Sequence, residues 1–121
     1  MFDDGTPIYR QIADQIKAEI LGGTLQPGGK IMSTNQYAAF YQINPATAQK
    51  AFRDLVDEGV LYKQRGVGMF VAEDARDKLV GDFRARFFED VLKPLIADAR
   101  QAGISLPEII DYLRAQEGAL K

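Results

Sequence analysis

The run from Ser33 to Val71, STNQYAAFYQINPATAQKAFRDLVDEGVLYKQRGVGMFV, holds three local signals in close succession. Ser33 and Gln36 form a capping-box pattern, in which each side chain takes the other residue's free backbone N–H at a helix start. Tyr37, Ala38, Phe40 and Tyr41 supply this helix's apolar surface, and it ends near Gln42. Asn44-Pro45 opens the next helix. Asparagine caps well, and proline at the first helical position gives up an N–H that had no partner. Ala48, Ala51, Phe52 and Leu55 make its apolar side, and Gly59 ends it after Glu58. Val60-Leu61-Tyr62 and Met69-Phe70-Val71 are strand-like. Between them, Arg65-Gly66-Val67-Gly68 is a turn whose glycines permit positive φ and a narrow tip.

Working outward, Thr6-Pro7 repeats the cap-then-proline start. Ile8, Ile12, Ile16 and Ile20 recur every four residues, widened by Tyr9, Ala13 and Leu21, so an amphipathic helix precedes the pair. Gly22-Gly23 stops it, and Leu25 leads into the turn Gln26-Pro27-Gly28-Gly29. Downstream, composition changes at Glu73-Asp74. Leu79, Phe83, Phe87, Val91, Leu95 and Ala99 then recur every four residues, beside Val80, Phe88, Leu92 and Ile96. This predicts one long helix from about Ala75 to Ala102, kinked by Pro94 near residues 90–93. Gly103 stops it. Ser105 and Glu108, with Pro107 in the first turn, open a last helix to about Gln116.

The fold class is therefore mainly α with a small β-hairpin. Residues 1–74 read as a winged helix-turn-helix and residues 75–121 as a two-helix segment. Two helices cover each other's apolar stripe only in part. Leu79, Phe83, Phe87, Phe88, Val91, Leu95, Ile109, Ile110 and Leu113 are accordingly expected to form a homodimer contact, the alternative being packing onto the N-terminal domain.

The chain has 121 residues with neither cysteine nor histidine. Imidazole bases, disulfides and thiolate or imidazole metal sites are excluded. No nucleophile–base pair or phosphate loop is recognisable, so no cofactor and no enzyme activity is expected. No apolar run is long enough to span a bilayer, and Met1-Phe2-Asp3-Asp4-Gly5 is not a signal peptide. A cytoplasmic location is the default. Net charge −2 and a pI near 5.1 argue against general nucleic-acid affinity. Between Lys30 and Val71, however, Lys30, Lys50, Arg53, Lys63 and Arg65 face only Asp54, Asp57 and Glu58, a surplus of two. Affinity for DNA should come from one face, and from two chains together.

Five pieces, taken together and in order, resemble the winged helix-turn-helix of the GntR regulators. They are Pro7-Ile8-Tyr9-Arg10-Gln11-Ile12; Gly23-Thr24-Leu25-Gln26-Pro27-Gly28; Asn44-Pro45-Ala46-Thr47 with Ala51-Phe52 and Leu55; Glu58-Gly59-Val60-Leu61; and Gly66-Val67-Gly68-Met69-Phe70-Val71. Leu92-Lys93-Pro94-Leu95, Ala99-Arg100 and Gly103-Ile104-Ser105 resemble the tail of the YtrA-type branch, whose short helical segment serves dimerisation. The resemblance implies a DNA-binding transcriptional regulator, by family default a repressor. It would act as a homodimer on a double-stranded operator with two half-sites, with room for a small-molecule effector. One departure stands out. The family's Leu-Pro-Ser-x-Arg reads Ile31-Met32-Ser33-Thr34-Asn35 here, so Asn35 replaces an arginine that contacts DNA in relatives, and the usual operator preference does not transfer.

On this reading the third helix enters the major groove. Ala46 and Thr47 are candidates for a thymine methyl, Lys50 for guanine or phosphate, and Asn44 or Gln49 for adenine or phosphate, with Arg53 on the outward face. Ser33, at a helix N-terminus, and Asn35 are candidates for a phosphate or base edge. In the wing, Lys63 and Arg65 would hold phosphates while Gly66 approaches the minor groove. Duller readings stand beside each: caps for Ser33 and Asn44, a solvated face for Lys50 and Arg53, a plain hairpin for the wing. A ligand pocket between the domains, lined by Phe83, Phe87 or Tyr41, competes with those aromatics being core or dimer contacts. The rival function is a winged-helix protein-interaction module without a DNA role, favoured by the acidic pI and the missing arginine at position 35.

Overall fold

The computed structural model describes residues 5–120, with side chains through Gly118; the Met1–Asp4 stretch, read above for a leader, lies outside it. The chain forms two compact units, Met1–Asp82 and Phe83–Lys121.

The first unit contains α1 (Ile8–Leu21), β1 (Lys30–Ile31), α2 (Thr34–Tyr41), α3 (Pro45–Asp57), β2 (Leu61–Gln64), β3 (Gly68–Val71) and the start of α4 (Ala75–Phe87). The α1 stripe is buried at Ile12, Ile16 and Ile20 as its spacing requires, while Ile8 at its start is exposed. Ile12, Ile16 and Ile20 meet Ala51, Phe52 and Leu55 of α3, and Leu61 and Val71 close the core from the sheet. The start of α1 differs from the sequence reading. Pro7, not Thr6, is the N-cap, and no side chain caps it; the Thr6 carbonyl instead accepts from Gln11 Nε2 at 2.6 Å. The capping box at Ser33 and the Asn44 cap form as read. Gly59, at φ 78, lets α3 close with Val60 N–H donating to Leu55 O at 2.9 Å.

The sheet has a third strand that the sequence does not announce. The order is β1-β3-β2, antiparallel throughout, with Lys30 opposite Phe70 and Leu61 opposite Val71. Gly28 N–H donates to Val71 O, and Val71 N–H to Gly29 O, which extends the pairing into the turn before β1.

The second unit runs from Phe83 of α4 through a π-helical turn (Phe88–Leu92), α5 (Lys93–Gln101), α6 (Leu106–Ala115) and α7 (Glu117–Leu120). The sequence predicts a single helix kinked at Pro94. The helical residues run without a break from Ala75 to Gln101, and at the expected place the turn before the proline widens, with Lys93 N–H reaching back to Phe88 O. The wider turn accommodates the bond that proline cannot make. At Gly103, φ 74, Ile104 N–H donates to Ala99 O and Gly103 N–H to Arg100 O, a paired helix end. Ser105 and Glu108 form their capping box.

Leu79 corrects the expected dimer contact. It is 7% exposed and lies with Ala75 in the core of the first unit, so it is not available to a partner. The boundary read at residues 74/75 marks where the sheet gives way to helix, while the compact first unit continues to Asp82. Among the described residues beyond it, only Ala99 is buried. Phe83, Phe88, Val91, Leu95, Ile110 and Leu113 are exposed, as are Ile104, Leu106 and Tyr112, while Phe87 and Ile109 are half-buried. No helix among the described residues is long and apolar enough to cross a membrane.

Candidate nucleic-acid interface

The N-terminus of α2, the outward side of α3 and the wing border one cleft of about 340 Å³. Ser33, Thr34, Asn35, Gln49, Lys63, Gly68 and Met69 line it. Caps put them there. Ser33 Oγ accepts from Gln36 N–H at 3.1 Å while Gln36 Oε1 accepts from Ser33 N–H at 3.0 Å, which fixes where α2 begins. Asn44 Oδ1 accepts from Ala46 N–H at 2.8 Å and fixes α3. The cap uses Asn44 Oδ1, and the residue remains exposed.

Of the residues singled out in the sequence, the cleft gathers Ser33, Asn35, Gln49 and Lys63. Ala46 and Arg53 are exposed three residues before and four after Gln49, hence on its side of α3. Thr47 is half-buried. Lys50 points elsewhere. Its ammonium sits 4.4 Å from the centre of the Tyr9 ring on α1 and 3.5 Å from Asp54 Oδ2. Arg65 and Gly66 form the exposed wing tip, closed by Val67 N–H donating to Gln64 O at 2.9 Å with Gly66 at φ 76. Thr34, Gly68 and Met69 also line the cleft, though nothing in the sequence pattern marks them as contacts. The pleat offers a signal for one of them: Met69 is paired with Lys63. Tyr41 packs inside the first unit, 4.5 Å from Tyr37 and 4.9 Å from Phe40 between ring centres. Phe83 and Phe87 line a hollow of about 240 Å³ in the second unit, with Arg86, Asp90 and Val91.

Charge is segregated. Asp54, Asp57 and Glu58 lie in a different hollow, between α1 and α3, where Asp54 meets Lys50 and Glu58 meets Lys17 at 3.0 Å. Among the described residues no ion pair involves Arg53, Lys63 or Arg65. Arg53, Lys63 and Arg65 thus stand clear of those acids on the α3 and wing surface, where a polyanion could meet them.

A helix pair and wing around a cation-bearing cleft define a winged helix-turn-helix, the architecture of a DNA-reading head. Residues 8–71 match the gntR family of bacterial regulatory proteins. The chain is 36% identical over 109 residues to the HTH-type transcriptional repressor YtrA of Bacillus subtilis (strain 168), covering 90% of this chain and 83% of that one. It superposes on a GntR family transcriptional regulator from Listeria monocytogenes with a TM-score of 0.76 and 31% identity, over 94% of this chain and 98% of that one. The DNA-binding domain of AraR, solved in complex with operator ORX1, aligns with a TM-score of 0.55 and 32% identity over 60% of this chain and 93% of that domain. The chain belongs to the GntR family, in its short-tailed YtrA-type branch.

Proposed function

We propose that this protein is a sequence-specific, DNA-binding transcriptional repressor that works in the cytoplasm as a homodimer on a two-half-site operator. The observation that carries this reading is the cleft. It sets Gln49 of the third helix beside Lys63 of the wing, the two elements that would enter adjacent grooves. Ala46, Gln49 and Arg53 face the bases, Lys63 and Arg65 hold phosphates, and Gly66 enters the minor groove. Ser33 and Asn35 approach the backbone from the start of α2. AraR's complex with its operator supports the same use of the same domain.

The second unit supports the dimer. A helical segment whose only buried described residue is Ala99 has no core of its own, and its exposed phenylalanines and leucines need a partner. An effector has less support. The hollow at Phe83 and Phe87 holds about 240 Å³, short of the roughly 300–1,000 Å³ of ordinary ligand pockets.

The test is titration of the protein into labelled DNA from upstream of its own gene, against a scrambled duplex at near-physiological salt. Tight, selective binding with two protomers per site is the expected result. Weak, equal binding to both duplexes would favour the protein-interaction module instead.

A further inference from the structure

We propose that Lys30 is a further phosphate-binding residue, delivered to the wing across a gap that only glycine at position 68 leaves open. The inference rests on the DNA-binding reading above and adds a contact outside the cleft. Lys30 lies on the edge strand β1, opposite Phe70, and is exposed. Its stem does not trail into solvent. A Cβ built on Gly68 would fall 2.8 Å from Lys30 Cε and 3.6 Å from Nζ, so the stem lies against the Gly68 backbone. Gly68 is at φ 147, which other residues rarely adopt. Residues two apart on a strand share a face. Gly68 and Phe70 are therefore on one face with Lys30, while Met69 and its partner Lys63 are on the other, toward the cleft. Arg65 stands at the tip. The wing thus carries a cation on each face and one at its end.

That arrangement fits a ribbon entering a minor groove, which has a row of phosphates on either side. Lys63 alone would serve one row. Lys30 has no competing acid among the described residues: it takes no part in the Lys17–Glu58, Lys50–Asp54, Lys78–Asp74 or Lys93–Glu89 pairs. Holding the stem on Gly68 also reduces the rotamer freedom a lysine loses when it binds. With Asn35 in place of an arginine, a second wing cation restores positive charge near the backbone.

The experiment measures anisotropy of a labelled mixed-sequence duplex of about 30 base pairs over a salt series, so no operator need be known. Lys30→Met keeps a stem over Gly68 and removes the charge; Lys30→Arg keeps the charge. Lys30→Met is expected to lower the slope of log affinity against log salt by about 0.9 for each phosphate that the protein no longer neutralises, with the thermal midpoint unchanged. Lys30→Arg should retain the wild-type slope. A wild-type slope in Lys30→Met overturns the inference and leaves the DNA reading intact. A wild-type protein whose binding shows no salt dependence overturns both.

Discussion

At the scale of the residue, Gln42 holds the helix-turn-helix turn in a conformation that favours glycine. Its φ is 55, and Ile43 N–H donates to Ala38 O at 3.0 Å across it. A left-handed residue with a Cβ costs about 1–2 kcal/mol, while glycine adds roughly 0.5–1 kcal/mol of unfolded-chain entropy. Gln42→Gly should therefore stabilise the fold by up to about 1 kcal/mol, read from a urea midpoint at constant slope. Tyr37 is the second residue out of balance. Its ring is buried against Tyr41 and Phe52, and its hydroxyl has no hydrogen-bond partner among the described residues. Burial, followed by the neighbouring Tyr41 and Glu19, pushes the phenol up to about 12. A folded-state value above the unfolded one near 10 favours the protonated form. Below pH 10 the phenol is protonated in both states and the shift costs nothing, while stability falls as pH rises from 10 toward 12. Tyr37→Phe should be neutral to stabilising at pH 7, because it removes an unpaired buried hydroxyl. It should also flatten the stability loss between pH 10 and 12. A loss of several kcal/mol at pH 7 would show that the hydroxyl has a partner.

At the scale of the element, the reading of α3 turns on one residue of rotation. Gln49 and Lys50 are adjacent, and a helix turns by about 100° between neighbours, so one lines the cleft and the other reaches Tyr9. Gln49→Ala should reduce discrimination between operator and scrambled DNA by about 1–3 kcal/mol. Lys50→Ala should change it much less. Lys63→Ala and Arg65→Ala should weaken every duplex alike and flatten the salt dependence. Sequence preference that followed the wing and ignored Gln49 would reverse these roles. Ser33→Ala should cost about 1 kcal/mol of stability, because the α2 cap goes with it. The caps also explain what is legible in the sequence. Ser33, Asn44 and Ser105 each mark a helix start through a bond to a residue two or three positions on, so local spacing finds them. β1 cannot be found that way. Two residues have no period, and Lys30–Ile31 is a strand only because β3 lies beside it. Charge favours Lys50 over Gln49 in the sequence, whereas placement depends on the angle at which α3 packs on α1, which is a tertiary fact. The π turn likewise follows from how the backbone absorbs Pro94, not from the apolar pattern around it.

At the scale of the molecule, the reading head alone does not account for an acidic protein binding DNA. A surplus of two charges over residues 30–71 is a weak attraction, and each phosphate interaction is screened at physiological salt. Two heads on one operator double the phosphates engaged and make the second engagement intramolecular. In the proposed dimer that coupling runs through the second unit, and Phe88 tests it. Phe88 is 64% exposed in the single chain. Phe88→Asp should therefore change the stability of the first unit by less than about 0.5 kcal/mol. In a dimer contact the same change puts a carboxylate into an apolar interface, at a cost of a few kcal/mol. That shifts the dimer dissociation constant by about two to three powers of ten. Sedimentation velocity should show a wild-type dimer and a variant monomer at micromolar concentration. Binding to an isolated half-site should be similar for both, while the advantage of the full operator should be lost in the variant. A variant that stays dimeric places the contact elsewhere in the second unit, with Leu113 and Tyr112 the next positions to change. A wild-type monomer at these concentrations would sink the homodimer and leave the weakly charged head to act alone.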